Sequence, residues 1–124
     1  MNVHELNHVA LHVRDLDAST HFYGDILGLP RLPRPAFPFP GAWFALGSQE
    51  LHLIADDDLP AGERHHHHLA LRVEDIFAVR RELEGRGLAG MRGPAPRPDG
   101  AQQVFLADPD GYSIELLDKG TIEE

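Results

Sequence analysis

The sequence predicts an α+β fold built from two repeated modules, and three observations lead there. A repeat appears at an offset of sixty residues, apolar residues alternate along short runs in both copies, and each copy carries one capped, helix-like stretch. The chain has 124 residues, the size of a single domain, with modules expected at about 5–58 and 65–118.

The repeat is read by laying His8 on His68. Ala10 then falls on Ala70, Leu11 on Leu71, Val13 on Val73, Asp15 on Asp75 and Ala18 on Ala78. Both copies run through a helix-like stretch to Gly-Leu, at Gly28-Leu29 and Gly87-Leu88. Pro-rich stretches follow at 30–40 and 93–100, read as loops, and hairpin patterns close each copy at 43–54 and 104–117. The second hairpin turns at Asp108-Pro109-Asp110-Gly111, a strong turn signal.

Period-two alternation assigns the strand faces. Val9, Leu11 and Val13 share one face, with His8, Ala10 and His12 opposite. Leu69, Leu71 and Val73 repeat the apolar face, opposite His68, Ala70 and Arg72. In the last strands Leu51 and Leu53 oppose Glu50 and His52, while Ile114 and Leu116 oppose Ser113 and Glu115. In the first helix Asp15 or Asp17 is the cap, Phe22, Tyr23, Ile26 and Leu27 form the apolar stripe, and Gly28 is the stop. In the second, Asp75 caps, Ile76, Val79 and Leu83 face inward, and Gly85 or Gly87 ends the helix. The apolar strand faces are expected beneath these helices, because a sheet must bury one face.

Composition narrows the function classes. The net charge of −9 and eleven scattered basic residues disfavour nucleic acid and anionic membranes as partners. The absence of cysteine removes disulfides, thiolate metal ligands and a cysteine nucleophile. No apolar run approaches the ~20 residues of a membrane span, and Met1 to Leu6 lacks the marks of a signal peptide. The expectation is a soluble, cytoplasmic protein.

Nine histidines ask for a reason. His8, His52, His68 and Glu115 lie at repeat-equivalent positions on the faces away from the helices. If a pseudo-twofold relates the modules, the four converge, and three imidazoles with a carboxylate suit one divalent ion: Zn, Ni, Co, Fe or Mn. His65 to His67 read as a solvated loop entering a strand, and His4 and His21 as surface. His12 shares the face of His8 and is either pocket lining or a water-facing polar residue. Trp43, Phe44 and Phe105 are candidates for the pocket wall, with two of the three expected in the core. Arg34, Arg92 and Arg97 are candidate anchors for an anionic substrate. Phe37 and Phe39 lie in a Pro-rich stretch that reads either as a lid or as an extended connector.

Four motifs resemble the vicinal oxygen chelate superfamily, which includes glyoxalase I, methylmalonyl-CoA epimerase, extradiol dioxygenases, fosfomycin-resistance thiol transferases and bleomycin resistance proteins. They are Leu6-Asn7-His8-Val9-Ala10-Leu11, Phe22-Tyr23-Gly24-Asp25-Ile26-Leu27-Gly28-Leu29, His68-Leu69-Ala70-Leu71-Arg72-Val73 and the run from Asp108 to Glu115. The likeness spans about residues 5–118 and is specific for the superfamily rather than for one activity. It implies paired βαβββ modules forming an incompletely closed barrel around the metal, and a homodimer with each site shared between chains. Carried over by position, it implies His8, His52, His68 and Glu115 as ligands.

The implied reaction is that of a glyoxalase-type lyase or isomerase. A small carbonyl or thiol-adduct substrate passes through an enediolate, with Glu115 as base and His12, Trp43, Phe105 and Arg97 as substrate contacts. His52 departs from the family, where a Glu or Gln is common at that place, and so removes one candidate base. His8, His68 and Glu115 would supply the His, His, Glu triad of an extradiol dioxygenase, but a fourth ligand leaves too few open positions. The thiol transferase pattern of Lys, Ser and Arg is poorly matched by residues 91–100. A non-enzymatic binding or drug-resistance protein is the remaining alternative.

Overall fold

In a computed structural model, which describes residues 1–62 and 64–119, the chain divides into two units, Met1–Ala61 and Gly62–Glu124. The side chains of His65 and His66 lie outside the described residues. Each unit is one βαβββ module whose four-stranded sheet stays open at its edges.

In the first module, strand β1 (His8–Val13) leads into helix α1 (Leu16–Thr20), then β2 (Arg31–Leu32), β3 (Gly41–Leu46) and β4 (Gln49–Ala55). The sheet order is β1-β4-β3-β2, with β1 and β4 parallel and the other pairs antiparallel. The second module repeats this with β5 (Arg64–Arg72), α2 (Ile76–Gly85), β6 (Arg92–Pro96), β7 (Gln102–Ala107) and β8 (Tyr112–Leu117), in the order β5-β8-β7-β6. A parallel pair needs a crossover, and the helix plus two strands of each module provide it.

The alternation read from the sequence sets the register. Val9 lies beside Leu51 and Leu11 beside Leu53 on the apolar face of β1 and β4, where Ala42 and Phe44 of β3 join them. Leu51, Leu53, Phe44 and Ala42 are buried, together with Phe22 and Tyr23 from the helical segment. In the second module Leu69 meets Ile114, Leu71 meets Leu116, and Val104 and Leu106 complete the face under Ile76 and Leu83.

The caps are Asp15 and Asp75, whose carboxylates accept from the backbone N–H of Ala18 and Ala78 at 3.1 Å each. The first helix is shorter than a single long α-helix, because it continues as a π-helical turn over His21–Ile26. Gly28 and Gly87 end the two helical segments at φ 76° and 91°, a conformation that costs glycine little.

Three expectations change. Both Pro-rich stretches contain short strands, β2 and β6. Each lies at the outer edge of its sheet, where a proline need not donate to a neighbour. The His65 to His67 run is part of β5 and not a loop, although its pairing with β8 is irregular between Arg64 and His68. Arg64 pins the strand start, its backbone N–H donating to Gly111 and its guanidinium to the carbonyls of Gly62 and Asp110. Of Trp43, Phe44 and Phe105, only Phe44 enters the core, since the other two occupy the opposite pleat.

Leu53 is fully buried at the centre of its sheet. Leu53→Ala should therefore destabilise the protein by about 2–5 kcal/mol, read as a lower denaturant midpoint. An unshifted midpoint would mean that this face is not the module's core.

Candidate functional site

The faces away from the helices carry one repeated row of side chains. In the first module Ala10, His52 and Trp43 lie side by side across β1, β4 and β3. In the second, Ala70, Glu115 and Phe105 take the same places across β5, β8 and β7. A small residue on the first strand and a ring on the third thus flank each central donor.

In the second module Glu115 is buried at 5% exposure yet fully engaged. Its Oε1 lies 3.1 Å from His68 Nε2, and its Oε2 accepts from the Arg97 guanidinium at 3.4 Å. Arg97 also pairs with Asp99 at 3.1 Å. A buried carboxylate is costly unless charge and hydrogen bonds offset its lost hydration, and His68 and Arg97 do so here. His68 meets the edge of Phe105, with ring centres 6.0 Å apart. Beside it opens a hollow of about 520 Å³ lined by His68, Arg92, Phe105 and Ser113 among others.

In the first module His52 is the buried donor, at 9% exposure. Its ring is held between His8, stacked at 4.1 Å, and Trp43, stacked at 3.9 Å and nearly parallel at 2°. Its Nε2 bonds Glu50 Oε1 at 2.8 Å, and His8 Nδ1 bonds Asn7 Oδ1 at 2.8 Å. A second hollow, of about 340 Å³, is lined by His8, His52, Glu50, Trp43, Arg34 and the phenylalanines 37 and 39, with others.

Each module therefore brings together two of the four expected metal donors: His8 with His52, and His68 with Glu115. Among the described residues, no three such side chains form a group that would hold an ion by themselves. The donor types nonetheless suit a divalent ion, and in the second module the spacing does as well. Two ligand atoms at about 2.1 Å from one ion and at right angles are about 3.0 Å apart, close to the His68–Glu115 separation of 3.1 Å. His8 Nδ1 is already bonded to Asn7, which leaves Nε2 as the ligating atom in the manner of outer-shell support.

The remaining candidates separate. Trp43, Phe105 and Arg97 reach the donors. His12 does not line the hollow of the first module, and its Nδ1 pairs with Asp56 Oδ2 at 2.8 Å. Arg92 stacks over Phe105 at 5.3 Å. Sequence reasoning gave no role to Glu50, Asn7 or Ser113, although alternation had already placed Glu50 beside His52 and Ser113 beside Glu115.

Two open, mixed sheets, each presenting a buried polar side chain between a small residue and a ring, define a protein of paired βαβββ modules. The chain belongs to the Glyoxalase/Bleomycin resistance protein/Dioxygenase superfamily, which matches residues 5–116. A curated relative named a probable lactoylglutathione lyase, from Synechocystis sp., is 33% identical across 90% of this chain and 93% of its own length. A putative glyoxalase family protein from Bacillus anthracis superimposes with a TM-score of 0.83 at 25% identity, covering 96% of this chain and 98% of that one. An antibiotic binding protein from Streptomyces sp. CB03234 does so at 0.77 and 26% identity, covering 97% and 99%.

The hydrogen bond from His12, with a further one from the Asp58 N–H, holds the Asp56 carboxyl below the ordinary aspartate range. A carboxyl that titrates lower when folded favours the fold above the ordinary aspartate pKa. That contribution fades as pH falls through the lowered value. An NMR titration should show the low Asp56 midpoint, and His12→Ala should raise it; a midpoint indifferent to the substitution would leave His12 without this role.

Proposed function

We propose that the protein is a metal-dependent lyase or isomerase of glyoxalase type, acting on a small carbonyl or thiol-adduct substrate. The observation that carries this reading is the buried Glu115 carboxylate, held against His68 on one oxygen and Arg97 on the other. Relatives named lactoylglutathione lyase support the class of reaction.

His8, His52, His68 and Glu115 would hold one divalent ion, with the active form a homodimer. When bound, that ion would supply a Lewis acid for the substrate's oxygens. Glu115 takes the proton from the carbon beside the carbonyl, giving an enediolate, and returns it to the neighbouring carbon. Arg97 orients the carboxylate through Oε2, and Trp43 and Phe105 wall the polar face.

Elemental analysis should find about one divalent ion per site in the wild type, lost in His8→Ala and in Glu115→Ala. Turnover of a methylglyoxal–thiol adduct should need that ion, and Glu115→Gln should lower kcat roughly 10²–10⁴-fold. A wild type that takes up no metal after reconstitution would overturn the four-ligand reading. The Streptomyces relative favours a second reading, a binding protein without turnover. Tight binding unaffected by chelator would support it.

A further inference from the structure

The first module holds a series of rings that runs outward from the proposed ligands to two phenylalanines, Phe37 and Phe39, that the proposed chemistry does not use. Phe39 stacks on Phe37, with centres 5.4 Å apart and planes 21° apart. Phe37 lies 6.0 Å from Trp43, Trp43 lies 3.9 Å from His52, and His52 lies 4.1 Å from His8. Five rings thus run without a break along one wall of the hollow. The two outer ones are left wet, at 44% exposure for Phe37 and 40% for Phe39. Large apolar side chains left exposed at the lip of a hollow ask for an occupant.

Arg34 is fixed at the same lip. Its guanidinium lies 5.1 Å from the centre of the Phe37 ring and 5.0 Å from that of Phe39, and one N–H donates to the Phe39 carbonyl at 2.7 Å. The backbone beside it is tight: a Cβ at Gly41 would come within 2.4 Å of the Leu53 carbonyl oxygen and 2.9 Å of Arg34 Nε. The cation is therefore preorganised beside the rings, while the acid of the hollow, Glu50, is committed to His52.

We infer that this hollow binds the substrate's aromatic group: a flat ring stacked among Phe37, Phe39 and Trp43, carrying an acidic substituent that meets Arg34. Ring faces favour another ring in an offset or edgewise arrangement beyond simple area burial. A guanidinium suits a carboxylate. This deepens the proposed function by naming the class of carbonyl substrate, the thiol adduct of an acidic aryl 2-oxoaldehyde, which keeps a C–H beside its carbonyl for Glu115 to take; an aryl 2-oxo acid, which has none, serves as a binding probe. It rests on that reading only for the chemistry, because the rings and Arg34 need no metal to bind.

Trp43 is the single tryptophan of the chain, so its fluorescence reports on this hollow alone. The metal-free protein would be titrated with benzoylformate and with pyruvate, two 2-oxo acids that differ by a ring in place of a methyl. Benzoylformate should bind about tenfold more tightly or better. Phe37→Leu with Phe39→Leu keeps apolar bulk but removes the flat faces, and should bring the two ligands close to parity. Arg34→Met should weaken benzoylformate about tenfold while leaving the neutral acetophenone unchanged. Equal affinities in the wild type, or an undiminished preference in the double leucine variant, would overturn the inference. So would a double variant that turns a dimer into a monomer by sedimentation while the preference stays, because the rings would then serve a second copy of the chain. Ring preference in a protein that never binds metal would instead sink only the metal-dependent reading and leave this one standing.

Discussion

The parallel pairing of the first strand of each module with its last is the constraint on which the rest depends. It puts β4 and β8 at interior positions, hydrogen-bonded on both sides. A strand in that position has a fixed register, because a slip of one residue would exchange its buried and open faces. Leu51 and Leu53 in one module, and Ile114 and Leu116 in the other, lock that register by burial. His52 and Glu115 are then held on the opposite pleat by the same residues that build the core. Core and site are two faces of one strand, and neither can be altered in register without the other.

This explains why so much was legible in the sequence. Alternation at His8 to Val13 and at Ser113 to Leu116 is enough to say which side chains share a face, and the repeat says which faces correspond. The caps were legible, Asp75 outright and Asp15 as one of two candidates, because an N-cap is a local event, settled within four residues. What could not be read depends on neighbours distant in sequence. That Pro94 and Pro96 belong to a strand follows from β6 being an edge, which is a property of the sheet. The same holds for Trp43 and Phe105. Hydrophobicity suggests a core place for both, but their parity with His52 and Glu115 across the sheet puts them on the site face.

The departure at His52 also takes on a different meaning once Glu50 is placed. A carboxylate is missing from the central row of the first module, yet one lies two residues earlier on the same face and bonds the histidine at 2.8 Å. Each module thus pairs one imidazole with one carboxylate, Glu50 with His52 and Glu115 with His68. In the first module both lie on β4, in the second they lie on the paired strands β8 and β5, while the local chemistry is kept. A hydrogen-bonded carboxylate fixes which imidazole nitrogen carries the proton, so the exchange also constrains which nitrogen of His52 offers a lone pair.

The wide separation of the paired strands has a kinetic consequence. Ala10 meets His52, and Ala70 meets Glu115, only after the intervening helix and two strands have been laid down. Long-range pairing of this kind is slow, because the closure entropy of the enclosed loop is lost before the contact repays it. The donor pair of each module is therefore assembled in the closing step of that module's folding. A half-made module, with its hairpin formed and its first strand undocked, has the central residue of the site but not its partner. Whatever binds across the pair acts as a latch on the completed module. It stabilises the whole unit by mass action and discriminates against every partly folded form.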